Sequence, residues 1–162
     1  MGRVLIKFNP RRVSTIAGGY MRGRPDSDDV DVVFTHSDAP RVRDSASSSY
    51  GGFMNADSLE KALTVFTLPP SSLFHNGAAR RRLELIFTPP KIYSTTVLEW
   101  TASTMFQPDI RRWTKDKLWL KLDSLGITRR YDSKDFYPKT EKEVFGLFGP
   151  EWIDPTSRDA TL

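Results

Sequence analysis

Two kinds of apolar spacing divide the chain. Before about Trp100 the apolar residues sit in short β-branched or alternating runs stopped by Gly or Pro; after it they recur every three or four positions. Val13 to Ala17 (VSTIA) reads as a strand broken by Gly18-Gly19, and Tyr20 to Asp28 as a turn-rich loop. Asp29 to Thr35 (DVDVVFT) alternates and is the clearest strand. Arg80 to Thr88 (RRRLELIFT), stopped by Pro89-Pro90, and Tyr93 to Trp100 (YSTTVLEW) read as two more. Leu59 to Phe66 fits a short helix; Val65 to Leu68 instead fits a strand, stopped by Pro69-Pro70. Met1 to Phe8, before Asn9-Pro10, reads as the tail of a helix, Ser45 to Gly52 (SASSSYGG) as a flexible loop, and Asn76-Gly77 as a turn. Ser103 to Lys117 predicts a helix with Met105, Phe106, Ile110 and Trp113 on one face. Trp119 to Leu122 predicts a short strand, and Gly126 a turn. Thr140 as N-cap and Glu143 as its capping-box partner open a helix that runs to Phe148 and ends at Gly149-Pro150.

These elements predict an α+β protein in two lobes: residues 1–100, sheet-rich with a flexible loop at about 37–58, and residues 101–162, smaller and mixed. A length of 162 residues suits one domain or two small lobes and excludes a large multidomain enzyme. The lack of cysteine excludes a disulfide scaffold and fits a reducing intracellular compartment; with only two histidines it also argues against a zinc site. No apolar run approaches the ~18 residues of a membrane span, and no signal-peptide core opens the chain. The formal charge of +4, from 24 basic and 20 acidic residues, permits an anionic partner without requiring one.

Candidate chemistry concentrates around the acidic strand. Asp29 and Asp31 are two apart, so on a strand both project from one side, about 6–7 Å apart, while Val30 and Val32 go the other way. A hard divalent cation such as Mg2+ would relieve their repulsion. Glu84 is an acid between Leu83 and Leu85, with Arg82 on the same face. If the two strands are neighbours, Asp29, Asp31 and Glu84 converge on one or two metals with Arg82 bracing them. An acid pair on a half-exposed strand also fits a solvated face. The loop in front favours the first reading, since Gly18-Gly19 and Arg22 offer backbone N–H groups and a guanidinium to a phosphate. A phosphate cradle beside metal-type carboxylates supplies the two parts that nucleotidyl transfer needs.

In order along the chain, Gly18-Gly19-Tyr20-Met21-Arg22-Gly23, a short spacer and Asp29-Val30-Asp31-Val32 resemble the signature of the family X DNA polymerases, within the polymerase-beta-like nucleotidyltransferases. Arg81-Arg82-Leu83-Glu84-Leu85 resembles the family's strand carrying the third metal carboxylate. Leu98 to Ser103 (LEWTAS), Phe106 to Arg112 (FQPDIRR), Thr140 to Phe145 (TEKEVF) and Glu151 to Ala160 (EWIDPTSRDA) are similar to the branch holding DNA polymerase mu and terminal deoxynucleotidyltransferase. The resemblance implies a palm with a mixed sheet followed by a small α+β thumb. It implies that Asp29, Asp31 and Glu84 are catalytic and hold Mg2+ or Mn2+. It places Gly19, Arg22, Trp100 and Ala102 at the incoming dNTP, and Gln107, Arg111 and Arg112 at DNA, with Arg82 in support. Trp100 and Trp113 also fit plain core positions, and Arg111-Arg112 a solvated helix face. The implied partners are a DNA primer–template or DNA ends, dNTP and end-joining repair proteins, in a nuclear monomer with no membrane role.

Four substitutions depart from the family pattern: Glu84 for aspartate, Asp28 and Glu99 for glycines beside an anionic substrate, and Ala102 for the glycine of a sharp turn. The family's helical lobes before the palm have no counterpart after Met1, as expected of a minimal palm–thumb form or of a fragment. Two activities therefore compete. One is a DNA polymerase that extends 3′ ends in break end joining or gap filling. The other is a truncated or degenerate relative that binds DNA ends or a repair partner without catalysis. A small-substrate nucleotidyltransferase fits the thumb-like segment less well.

Overall fold

The computed structural model describes residues 12–25, 27, 29–36, 60–67, 70, 80–123 and 126–159. The expectations for Met1 to Phe8, the loop at 37–58, Asn76-Gly77 and Asp28 lie outside the described residues. The first part is a four-stranded mixed sheet. Strand β1 (Arg12–Ile16) leads through one helical turn, α1 (Gly18–Met21), to β2 (Asp29–His36). Strands β3 (Glu60–Thr67) and β4 (Arg80–Phe87) complete it in the order β1-β2-β4-β3. Strand β2 runs antiparallel to β1 and parallel to β4, and β4 is antiparallel to β3. The strand expected at Val65 to Leu68 forms, but it begins at Glu60 and takes in the residues that the helix reading covered. Its alternation is poor because it is an edge strand, and Leu63 and Val65 are exposed. The loop expected over Tyr20 to Asp28 starts later: α1 takes Tyr20 and Met21, and the described residues that follow, up to Ser27, lie outside helix and strand.

Side-chain alternation gives the sheet two faces. One buries Val32, Phe34 and Leu83; the other carries Asp29, Asp31 and Glu84, then Val33 and Ile86. The second face is covered by α2 (Tyr93–Thr101), where a strand was expected. Two causes defeat the β-branched signal of YSTTVLEW. A 3-10 turn at Pro90–Ile92 uses proline at a helical start, where its missing N–H costs nothing. And α2 is buried on nearly every side, so no polar face marks its period. Two of its hydroxyls donate to backbone: Thr96 to the Ile92 carbonyl one turn back, at 3.0 Å, and Ser94 to that of Pro138, at 2.6 Å.

Helix α3 (Phe106–Leu118) buries Ile110 and Thr114. The apolar stripe is narrower than expected, for Met105 precedes the helix and Trp113 is 46% exposed, its indole N–H donating to the Phe148 carbonyl. Trp119 ends α3 in left-handed geometry (φ 55°), so the strand β5 begins one residue late, at Leu120–Asp123. Gly126 (φ 125°) is the first residue of β6 (Gly126–Arg129), which pairs with β5 and with β7 (Asp135–Phe136). In α4 (Glu141–Phe148) the Thr140 hydroxyl accepts from the Glu143 N–H; the Glu143 carboxylate accepts from the Lys139 N–H, one residue outside the expected box. Ile110, Leu120, Leu122, Ile127, Val144, Phe145 and Phe148 form the second core with Leu98. Helix α2 therefore serves both cores, Val97 facing the large sheet and Leu98 the small one. Among the described residues no helix is long and apolar enough to cross a membrane.

Leu98 is 1% exposed at this junction, and Leu98→Ala is expected to cost about 2–5 kcal/mol in chemical denaturation, unfolding the small sheet and the large one in a single transition.

Candidate active site

The parallel register of β2 and β4 puts Asp31 opposite Glu84 and Asp29 opposite Arg82. Asp29, Asp31 and Glu84 each offer one oxygen, and the three oxygens lie within 4.8 Å of one another. The extra methylene of Glu84 does not take its carboxylate out of the group. An all-oxygen, all-carboxylate set of this kind fits a hard divalent cation. Burial, then the charges of Asp29 and Glu84, push the Asp31 carboxyl from 3.8 up to about 6, with Lys61 and Arg82 pulling against them. Arg82 bonds Asp29, and its Nε lies 3.6 Å from Glu84. Lys61, which the sequence reading did not single out, reaches Glu84 at 2.8 Å from the edge strand β3. Its ammonium also sits 4.4 Å from the centre of the Trp100 ring. No spacing rule finds Lys61, because its position depends on β3 pairing with β4.

Glycine is required at position 18. Its φ is +66°, and a Cβ there would stand 2.2 Å from Asp31 Oδ2. The turn α1 therefore packs directly on the carboxylate, and the Ala17 N–H donates to the Asp31 carbonyl at 2.8 Å. Gly19 and Arg22 follow on the same turn. Arg22 donates through Nε to Asp159 at 2.8 Å and through Nη1 to the Thr101 carbonyl at 3.0 Å.

A cleft of about 750 Å³ collects most of the expected site. Gly19, Arg22, Asp29, Asp31, Arg82, Trp100, Ala102, Gln107 and Arg111 all line it. Glu84 lies beneath, 9% exposed. Arg112 does not join them; it is exposed, bonds Asp109, and lines a neighbouring basic groove with Lys115, Lys121 and Arg130. Two expected difficulties do not arise. Ala102 has φ −65° and ψ 140°, an extended geometry that alanine adopts without strain. Glu99 does not stand as a free charge in the cleft. It is buried, bonded by Arg111 through Nε at 3.1 Å and by Gln107 at 3.3 Å. The pairing of Glu99 with two residues expected at DNA was hidden in the sequence, since eight and twelve positions separate them.

The DNA polymerase beta thumb family matches residues 96–159. The chain is 22% identical to the DNA nucleotidylexotransferase of Xenopus laevis, over 97% of its length and 38% of that protein's. It is 26% identical to the human DNA-directed DNA/RNA polymerase mu, over 93% of its length and 37% of that protein's. Rat DNA polymerase lambda is 28% identical over 94% of the chain and 30% of its own length. The chain thus spans about a third of the length of these curated relatives.

The raised Asp31 carboxyl carries a stability consequence. A group that binds its proton more tightly when folded subtracts stability as pH rises from 3.8 to about 6, and the loss persists above. Asp31→Asn removes it. In metal-free buffer at about pH 8 the variant is expected to melt about 3 °C or more above the parent, with the gap closing below about pH 4 in thermal melts across the range.

Proposed function

We propose that this chain, which is similar to family X DNA polymerases, adds dNTPs to a DNA 3′ end by two-metal phosphoryl transfer, in double-strand break end joining or gap filling. The observation that carries the proposal is the convergence of Asp29, Asp31 and Glu84 beside the turn bearing Gly19 and Arg22. Residues 1–100 act as the palm and residues 101–162 as the thumb of a nuclear monomer. The partners are a primer–template or DNA ends, with end-joining repair proteins.

In this reading the backbone at Gly19 and the Arg22 guanidinium orient the triphosphate. Asp29, Asp31 and Glu84 hold Mg2+ or Mn2+, which when bound neutralises charge at the reacting phosphate and acidifies the attacking hydroxyl. Arg82, between Asp29 and Glu84, and Lys61, on Glu84, offset the repulsion among the carboxylates and hold them together. Glu84 assists removal of the primer 3′-hydroxyl proton. The 3′ oxygen bonds to the α-phosphorus as the bond to the leaving oxygen breaks, and pyrophosphate departs. Trp100, backed by Lys61, and Ala102 face the sugar and base. Gln107, Arg111 and Arg112 contact the nascent pair and template.

One observation weighs against catalysis and leaves a second reading, a non-catalytic relative that binds DNA ends or a repair partner: Glu99 engages both Gln107 and Arg111, which the catalytic reading needs at the nascent pair. Primer extension separates the two. The catalytic reading predicts dNTP addition with Mg2+ or Mn2+, reduced at least about 100-fold in Asp31→Asn. No extension on gapped, blunt or single-stranded primers under either metal, with salt-dependent DNA binding retained, selects the second.

A further inference from the structure

Arg22 is held from two sides by the protein. Its side chain is 10% exposed, and two of its three guanidinium nitrogens are bonded by the protein: Nε by Asp159 at 2.8 Å and Nη1 by the Thr101 carbonyl at 3.0 Å. The third, Nη2, stands 3.9 Å from the point where a Cβ on Gly19 would sit, beside the turn that borders the cleft. We propose that Asp159 is a positioning residue, which presents the edge of Arg22 that has no partner among the described residues to the phosphates of a nucleoside triphosphate. The proposal rests on the nucleotidyltransferase reading above and assigns a role to a residue outside the expected site.

Asp159 is itself firmly placed. The preceding residue, Arg158, is fully buried; it pairs with Glu141 at 2.7 Å, donates through Nε and Nη2 to the Ile153 carbonyl, and lies 5.4 Å from the centre of the Phe145 ring. The 3-10 turn Pro155–Ser157 starts from Asp154, whose carboxylate accepts from the Thr156 N–H at 2.9 Å. The segment thus reaches from α4 back to α1 with a fixed end. An arginine already held in one rotamer has less freedom to lose when a ligand arrives. Asp159 does not make the cradle anionic, because Arg24 also donates to it, at 2.9 Å and 3.2 Å. Two guanidiniums around one carboxylate leave a net positive cluster.

The opposite role, a carboxylate that competes with phosphate for Arg22, predicts the opposite sign. The test is binding of inorganic triphosphate and of Mg2+-dTTP to the full chain by calorimetry, with steady-state extension kinetics. Asp159→Asn is expected to weaken both ligands about tenfold and to raise the KM for dTTP, with kcat within about twofold. Asp159→Glu, which keeps the charge, is expected to bind within about threefold of the parent, a rescue that simple loss of packing does not give. In an Arg22→Lys background, Asp159→Asn is expected to add no further loss, since it acts through Arg22. Unchanged or tighter binding by Asp159→Asn, no rescue by Asp159→Glu, or a full additional loss beside Arg22→Lys overturns the inference alone. If Arg22→Lys itself binds triphosphate like the parent, the cradle reading falls and this inference with it.

Discussion

Three carboxylates crowded onto one sheet face repel, and much of the surrounding structure is arranged to hold them there. The parallel pairing of β2 and β4 sets Asp31 against Glu84. Lys61 approaches Glu84 from one edge, Arg82 ties Asp29, and Gly18 brings backbone against Asp31 where no side chain fits. Burial, and then the neighbouring charges of Asp29 and Glu84, still hold the Asp31 carboxyl above its usual range. What remains is an affinity for positive charge built from the register of two strands.

The same economy of charge runs around the cleft. Arg22 and Arg24 meet Asp159, Arg82 meets Asp29 and Glu84, and Arg111 meets Glu99. The cations are thus held in fixed places rather than swinging on flexible stems. A ligand that brings a divalent cation and a polyphosphate together matches such a cleft, because it supplies both signs at once. Helix α2 makes the arrangement one piece. It packs Val97 on the large sheet and Leu98 on the small one, and its last carbonyl, at Thr101, accepts from Arg22.

Much of this was legible in the sequence. The alternation of DVDVVFT predicted β2 and the shared side of Asp29 and Asp31, and the acid within RRRLELIFT pointed to Glu84. Their convergence was conditional on a pairing that spacing alone does not give. YSTTVLEW misled because a helix buried all round has no polar face, and β-branched residues then imitate a strand. Ala102 and Glu99 were read against a pattern that expects glycine; the actual backbone is extended at Ala102, and Glu99 is satisfied by Gln107 and Arg111. Lys61 and Asp159 were not legible for a shared reason. Each acts on residues far along the chain, Lys61 through strand pairing and Asp159 through a returning segment.

The central claim is that Asp29, Asp31 and Glu84 together form a divalent-cation site. Titrating Mn2+ into the protein, with the free ion followed by electron paramagnetic resonance, tests it without requiring DNA or turnover. The account predicts saturable binding by the parent that weakens at least about tenfold in Glu84→Gln, which removes one charged ligand and keeps the side-chain shape. A free-ion signal that follows the buffer line, or a Glu84→Gln variant that binds like the parent, contradicts it.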